Sequence, residues 1–241
     1  MFADKSTGGG EGINTWEAYE LHFGAPRLQH YLTACRGDQR QAMELYRWNA
    51  AVSAVFWESL AYLEVALRNA LDRRMSDRHA RLHRDGHWIF DDARELGRDA
   101  RGPSRHSQPY TDINEAKRRV LRNKKSLDAG QIISEVSFGF WHQLISKRQM
   151  FLWPDLASAF LHAPDRRPET LRDPVSRLRE FRNRIGHHHR IWSEDVGGRY
   201  ADLLDVAGYL DPQLRAFIDN RSRLPRLLQH RPHPDEPGSA T

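Results

Sequence analysis

The chain has 241 residues, with 37 Lys and Arg against 32 Asp and Glu, a formal net charge of +5 and a pI near 9.5. Aromatic residues make up 10% and charged residues 29%, which excludes a disordered polymer, since such chains lack the apolar surface to offset ordering entropy, but leaves only a lean core. The single cysteine, Cys35, excludes an intramolecular disulfide and a multi-cysteine zinc site.

Residues 1–15, with Gly8-Gly9-Gly10, read as a flexible N-terminus, and residues 231–241, with three Pro, as a disordered tail. No secretion signal is visible, and no apolar run approaches the roughly 20 residues of a membrane span. A soluble, cytoplasmic protein without a membrane partner is expected. Between the ends, 16–230 read as a single all-α domain. From Asp38 to about Met75 there is neither Pro nor Gly, and Leu45, Val52, Phe56, Leu60, Leu63, Leu67 and Leu71 fall at steps of three, four and seven. That spacing puts one apolar stripe on a spine helix, about 55 Å long at ~1.5 Å per residue, or on two helices joined by a bend.

Residues 76–110 are dense in Arg, His and Asp and carry Gly86, Gly97, Gly102 and Pro103. They read as an irregular surface insertion. Helical pattern resumes near Asp112, a candidate cap with Glu115 three residues later. It continues through Lys125 and again from Ile132 to Leu144. Asp173-Pro174 reads as the N-cap and first residue of the next helix, with Val175, Leu178, Phe181 and Ile185 as its buried stripe and Gly186 as its stop. Gly198–Leu210 and Pro212–Arg223 complete the body. Period-two alternation is absent, so no strand is expected.

The segment from Phe181 to Trp192 holds the most chemistry. Phe181 and Ile185 belong to the stripe, so Arg182 sits at the edge of the core, and Gly186 lets His187, His188 and His189 turn back toward it. An arginine is always charged and binds phosphate bidentately, and an imidazole exchanges protons near neutral pH. Together they suit cleavage of RNA by its own 2′-OH, with no metal or cofactor. The three His also fit a surface cluster without a role, or a metal site, although adjacent residues rarely converge on one ion.

In the spine, Glu64 interrupts an apolar run and needs a partner; Arg68, one turn on, is in the favourable order. Glu64 and Asn69 are also candidates to orient Arg182 or a His. Lys117, Arg118, Arg119, Arg122, Lys124 and Lys125 place six cations in nine residues without an acid, a block that suits an RNA backbone or a solvated face. Arg184 and Arg190 are further candidate RNA contacts.

Three stretches, Tyr62 to Asn69, Val136 to Trp141 (Val-Ser-Phe-Gly-Phe-Trp) and Arg182 to Trp192, resemble in order the Abi-like (abortive infection) family of bacterial proteins, assigned to the HEPN superfamily. The resemblance implies a HEPN-like helical bundle that dimerises, with Arg/His motifs of two protomers facing each other in a shared cleft that cuts RNA. On this chain the motif arginine is Arg182, its polar follower Asn183, and its histidine His187; His188 matches a second histidine, and Glu64, Arg68 and Asn69 match without an assigned role. The implied function is a metal-independent endoribonuclease toxin in phage defense, restrained by an antitoxin protein or a regulatory RNA. The alternative is a HEPN module that binds RNA or protein without cutting.

Overall fold

The computed structural model describes residues 15–102 and 105–232; of the expected loose ends at 1–15 and 231–241, residues 1–14 and 233–241 lie outside them, and Thr15 already belongs to the first helix. Among the described residues the fold is all-α, with no strand beyond an isolated antiparallel bridge between Arg98 and Arg105. The chain divides into two compact units, one of Met1–Val52 with Arg226–Thr241 and one of Ser53–Pro225.

The first unit holds α1 (Thr15–Phe23), α2 (Ala25–Ala34), the start of the spine helix and most of α11 (Leu224–Gln229). Gly24, at φ 86°, makes the tight α1–α2 corner that a side chain would strain. Tyr46 meets Phe23 at 5.1 Å and Tyr31 at 5.2 Å between ring centroids. Trp48 donates its indole N–H to the Leu227 carbonyl at 2.8 Å, tying the end of the chain to the spine. Neither α1 nor α11 is announced by a strong apolar period, and α2 opens on a Pro rather than a capping side chain.

The spine, α3, is one unbroken helix over Gln39–Arg81. It therefore runs past Met75 into the expected insertion, because Ser76 to Arg81 contain no breaker and their arginines have carboxylate partners. The predicted stripe is the buried one: Phe56, Leu63, Leu67 and Leu71 are fully inaccessible. An 18-residue window of α3 reaches a mean hydropathy of 1.4 with 39% of it buried, so, against the sequence reading, one helix is long and apolar enough to cross a membrane. The core helix of a globular protein meets the same description, and Phe56, Leu60 and Leu63 occupy that role here.

The second unit continues through α4 (Gln108–Arg122), α5 (Ala129–Glu135), α6 (Phe138–Leu144), α7 (Trp153–Leu156), α8 (Pro168–Gly186), α9 (Val196–Leu210) and α10 (Pro212–Arg221). Helix α8 packs on α6 and α9, and α9 on α10. Phe181 of α8 meets Phe56 of α3 edge-on at 4.7 Å. Burying Val175, Leu178, Phe181 and Ile185 contributes about 2 kcal/mol per side chain. That gain explains one departure from expectation. Pro174 does not open α8 but lies inside it, at an interior cost of about 3 kcal/mol, offset by the flanking buried residues. Asp173 pairs with Arg172 at 3.2 Å instead of capping. Asp112 likewise sits within α4, whose N-cap is Ser107, and accepts hydrogen bonds from Gln108 and Gln143.

Residues 82–102 and 105–107 are irregular but only partly a surface. Trp88, Ile89 and Leu96 are buried, and a charge network fixes the segment to the spine. Arg78 forks onto Glu95 at 2.7 and 2.8 Å and reaches Asp155 at 3.0 Å, Arg84 joins Glu95 at 2.7 Å, and Arg81 pairs with Asp155. Burial alone pushes the Glu95 carboxyl up, but hydrogen bonds from Arg84 and Arg78 prevail and hold it below the usual carboxylate range. The Val136–Trp141 stretch is packing: Phe138, Phe140 and Trp141 are buried, with Phe140 and Trp141 edge-to-face at 5.4 Å.

Candidate functional site

Helix α8 delivers Arg182 to the boundary between core and solvent, because Phe181 and Ile185 anchor the adjacent face. The guanidinium carbon lies 4.9 Å from the centroid of the Trp57 ring. One turn on, Gly186 meets the edge of the same indole, where a Cβ would sit 3.6 Å from the ring. Trp57 of α3 thus backs both the arginine and the helix end while remaining 41% exposed. Sequence reasoning missed it. The available signal was a Trp adjacent to the buried stripe, with two turns of helix separating it from Glu64.

Glu64 is the second group on α3 that faces this arginine. Burial raises its carboxyl above the usual range, and the charges of Arg182 and Arg68 pull in the opposite direction. The expected Glu64–Arg68 ion pair is not formed: Arg68 donates to the Ser134 carbonyl at 3.3 Å, since the α5 end presents an acceptor within its reach. Asn69 is exposed. Arg182 Nε is buried without a hydrogen-bond acceptor, and among the described residues no carboxylate is hydrogen-bonded to this guanidinium.

The end of α8 is a double-bonded C-terminal turn. His189 N–H donates to the Arg184 carbonyl at 2.8 Å and His188 N–H to the Ile185 carbonyl at 2.9 Å, the Schellman pattern. The left-handed position is His188, at φ 55°, rather than Gly186. This turn leaves all three His exposed and brings the rings of His187 and His189 to 5.8 Å. Asn183 receives the His187 N–H at its backbone carbonyl, 3.0 Å away. No hydrogen bond joins Arg182 to His187 or His189; the arginine is held by Trp57 and the field of Glu64 instead.

Other candidate contacts divide into committed and open cations. Arg184 donates to the Arg190 carbonyl at 3.0 Å and pairs with Glu194 at 2.9 Å, so it clamps the loop after the histidines and is not open to phosphate. Arg190 is half-buried and supplies that carbonyl. In the basic block, Arg119 braces α4 to α5 through the Glu135 side chain at 3.2 Å, an acid contributed by another helix. Lys117 lies over the Phe90 ring at 5.5 Å, and Arg118 bonds the Asn114 carbonyl at 3.4 Å. Arg122, Lys124 and Lys125 are exposed. The block is therefore not one uniform phosphate-facing surface.

Beside α8, His142 of α6 is kept neutral. Burial, then the charges of Arg179 and Arg172, push its pKa down to about 4. Among the described residues no group of three or more His, Cys, Asp or Glu is placed to hold a metal.

A family model described as Abi-like protein matches residues 13–193, which include both α3 and the whole of α8. No curated protein and no solved structure matches the chain.

Proposed function

Because the chain belongs to the Abi-like protein family, we propose that it is a metal-independent endoribonuclease of the HEPN type, acting as a toxin in phage defense by abortive infection. The observation that carries this reading is the placement of Arg182. It is a guanidinium held over Trp57, without a hydrogen-bonded carboxylate, one turn before a helix end that carries three exposed imidazoles.

In this reaction the ribose 2′-oxygen attacks the neighbouring phosphorus and the P–O5′ bond breaks. The 2′-OH proton passes to an imidazole, His187 by the motif, and the departing 5′-oxygen takes up a proton from a second acid, leaving a 2′,3′-cyclic phosphate and a 5′-hydroxyl. Arg182 offsets the negative charge that grows on the phosphoryl oxygens. His188 or a protomer's counterpart of His187 serves as the second proton carrier. The exposed apolar line Ala54, Trp57, Ala61 and Val65 on α3 supports a homodimer whose interface borders Arg182, since a contiguous apolar face of this kind marks an association surface.

The test is incubation with cellular RNA in EDTA. Cleavage that survives chelation supports the proposal, and cleavage that requires a divalent ion contradicts it. Growth arrest on expression of the wild type, relieved by Arg182→Ala, extends the support to the toxin role. The lack of an Arg182–imidazole hydrogen bond favours a second reading, a binding module that holds RNA without turnover. Tight, salt-sensitive binding with no cleavage by the wild type distinguishes it.

A further inference from the structure

Outside the α3–α8 site, the 90–105 segment presents cations of a particular kind. Arg94 stands over the Tyr110 ring at 4.8 Å, Lys117 over Phe90 at 5.5 Å, and Arg98 over Phe151 at 5.6 Å. Among the described residues none of these three forms an ion pair with a carboxylate, in contrast to Arg78, Arg81 and Arg84 upstream. The first two pairs border an open groove of about 390 Å3 that Asn114, Asp92 and Asp91 also line, the Asp91 carboxylate being engaged by Tyr110 Oη–H and the Glu95 and Leu96 N–H groups. The third borders a second groove of about 640 Å3 with Arg105 and Met150.

The bridge between Arg98 and Arg105 strengthens the point. Directly opposed residues of an antiparallel pair project on one side, and like charges in that position repel. Both side chains are exposed, and the carboxylate that lines that groove among the described residues, Asp99, pairs with Arg148 at 3.9 Å. A polyanion crossing the bridge removes the repulsion. A ring beneath a cation fixes its position, while its remaining N–H donors and, for an arginine, its outer face stay open to a phosphate or a base. Asp92 repels phosphate but accepts from a ribose hydroxyl or a base N–H. Nucleic acid sets an aromatic base beside every phosphate, so one ligand can pair with the cations and stack on the arginine planes, whereas an acidic peptide supplies carboxylates that occupy the N–H donors without a stacked ring; the combination favours nucleic acid.

We propose that Arg94, Arg98, Arg105 and Lys117 form a recognition site for single-stranded RNA, in which the four cations hold phosphates and the two ring-backed arginines, Arg94 and Arg98, stack on bases. The proposal deepens the endoribonuclease reading by placing substrate selection in the irregular segment, yet binding here does not require that the chain cut RNA.

The probe is a single-stranded RNA carrying 2′-O-methyl groups, which blocks attack by the 2′-oxygen and separates binding from cleavage. The wild type is compared with Arg94→Gln/Arg98→Gln/Arg105→Gln, all at exposed positions, and with Arg94→Lys/Arg98→Lys, which keeps charge but loses the planar face. The triple variant is expected to bind at least tenfold more weakly, with a salt-dependence slope shallower by about 0.7 per lost phosphate contact. The lysine variant is expected to keep the slope and lose part of the affinity. Unchanged affinity and slope in the triple variant, with an unchanged circular dichroism spectrum, overturns the proposal, as does preferential capture of an acidic peptide. If Arg-dependent binding is seen but unmodified RNA is never cut, the endoribonuclease reading falls and this one stands. If cutting depends on Arg182 while the triple variant binds and cuts normally, only this one falls.

Discussion

Two arginine clusters of the same unit have opposite fates. Around Glu95 and Asp155, each of Arg78, Arg81 and Arg84 is neutralised by a carboxylate, and the result is an irregular segment locked to α3. At the end of α8, Arg182 has an indole beneath it and only the field of a half-buried carboxylate, Glu64, to balance it. Charge consumed by folding has a stability signature. Charge left over has a functional one. The two should separate cleanly on substitution.

The largest expected effect is at the open cluster. Arg182→Ala and His187→Ala are each predicted to lower RNA cleavage about 10²–10⁴-fold, measured as single-turnover rates. His187 is exposed, so its variant should melt within about 0.5 kcal/mol of the wild type. At the consumed cluster the expectation is reversed. Arg78 is 13% exposed, and Arg78→Ala leaves Glu95 to Arg84 and Asp155 to Arg81 alone, at a cost of about 1.5–3 kcal/mol in urea unfolding. The fraction that remains folded should cleave at the wild-type rate, and a rate loss matching that of Arg182→Ala would erase the distinction.

A smaller effect belongs to His142, which borders α8 without joining either cluster. Its folded-state pKa of about 4 lies below the ordinary 6.5, so the folded protein favours the neutral ring. The unfolded chain takes up a proton as pH drops below 6.5. Stability from this group is therefore fully present above that pH and is lost as pH falls toward 4, by on the order of 1–2 kcal/mol after allowance for partial exposure. His142→Gln should flatten the melting profile between pH 7 and 4, and an identical slope in both proteins would exclude His142 as its source. The smallest effect is at His188, whose left-handed backbone costs an L-residue about 1 kcal/mol. His188→Gly should raise stability by about 0.5–1 kcal/mol and keep cleavage, unless His188 is the second proton carrier.

The fold was legible where apolar period and breakers agreed. The α3 stripe and the Phe181–Ile185 stripe are both buried, and α8 ends at Gly186. Local capping signals misled where packing outweighed them. Asp173-Pro174 has the chemistry of a helix start, yet Pro174 is absorbed because its neighbours are buried. The insertion was only half legible, since composition shows its charge but not that Glu95 and Asp155, distant in sequence, would engage the arginines. At the site, the Arg182 and His187 positions follow from the motif, whereas Trp57 is joined to them only by tertiary contact. Likewise Arg184 and Arg119 read as open cations because their acids, Glu194 and Glu135, lie on other elements.

The central claim is that Arg182 and the histidines at the end of α8 drive attack by the RNA's own 2′-oxygen. The direct measurement compares an unmodified single-stranded RNA with its 2′-O-methyl counterpart in EDTA and determines the product ends. The account predicts 2′,3′-cyclic phosphate and 5′-hydroxyl ends from the first substrate, none from the second, and the same ends formed about 10²–10⁴-fold more slowly with Arg182→Ala or His187→Ala. Cleavage of the 2′-O-methyl strand, or undiminished cleavage by both variants, would contradict it.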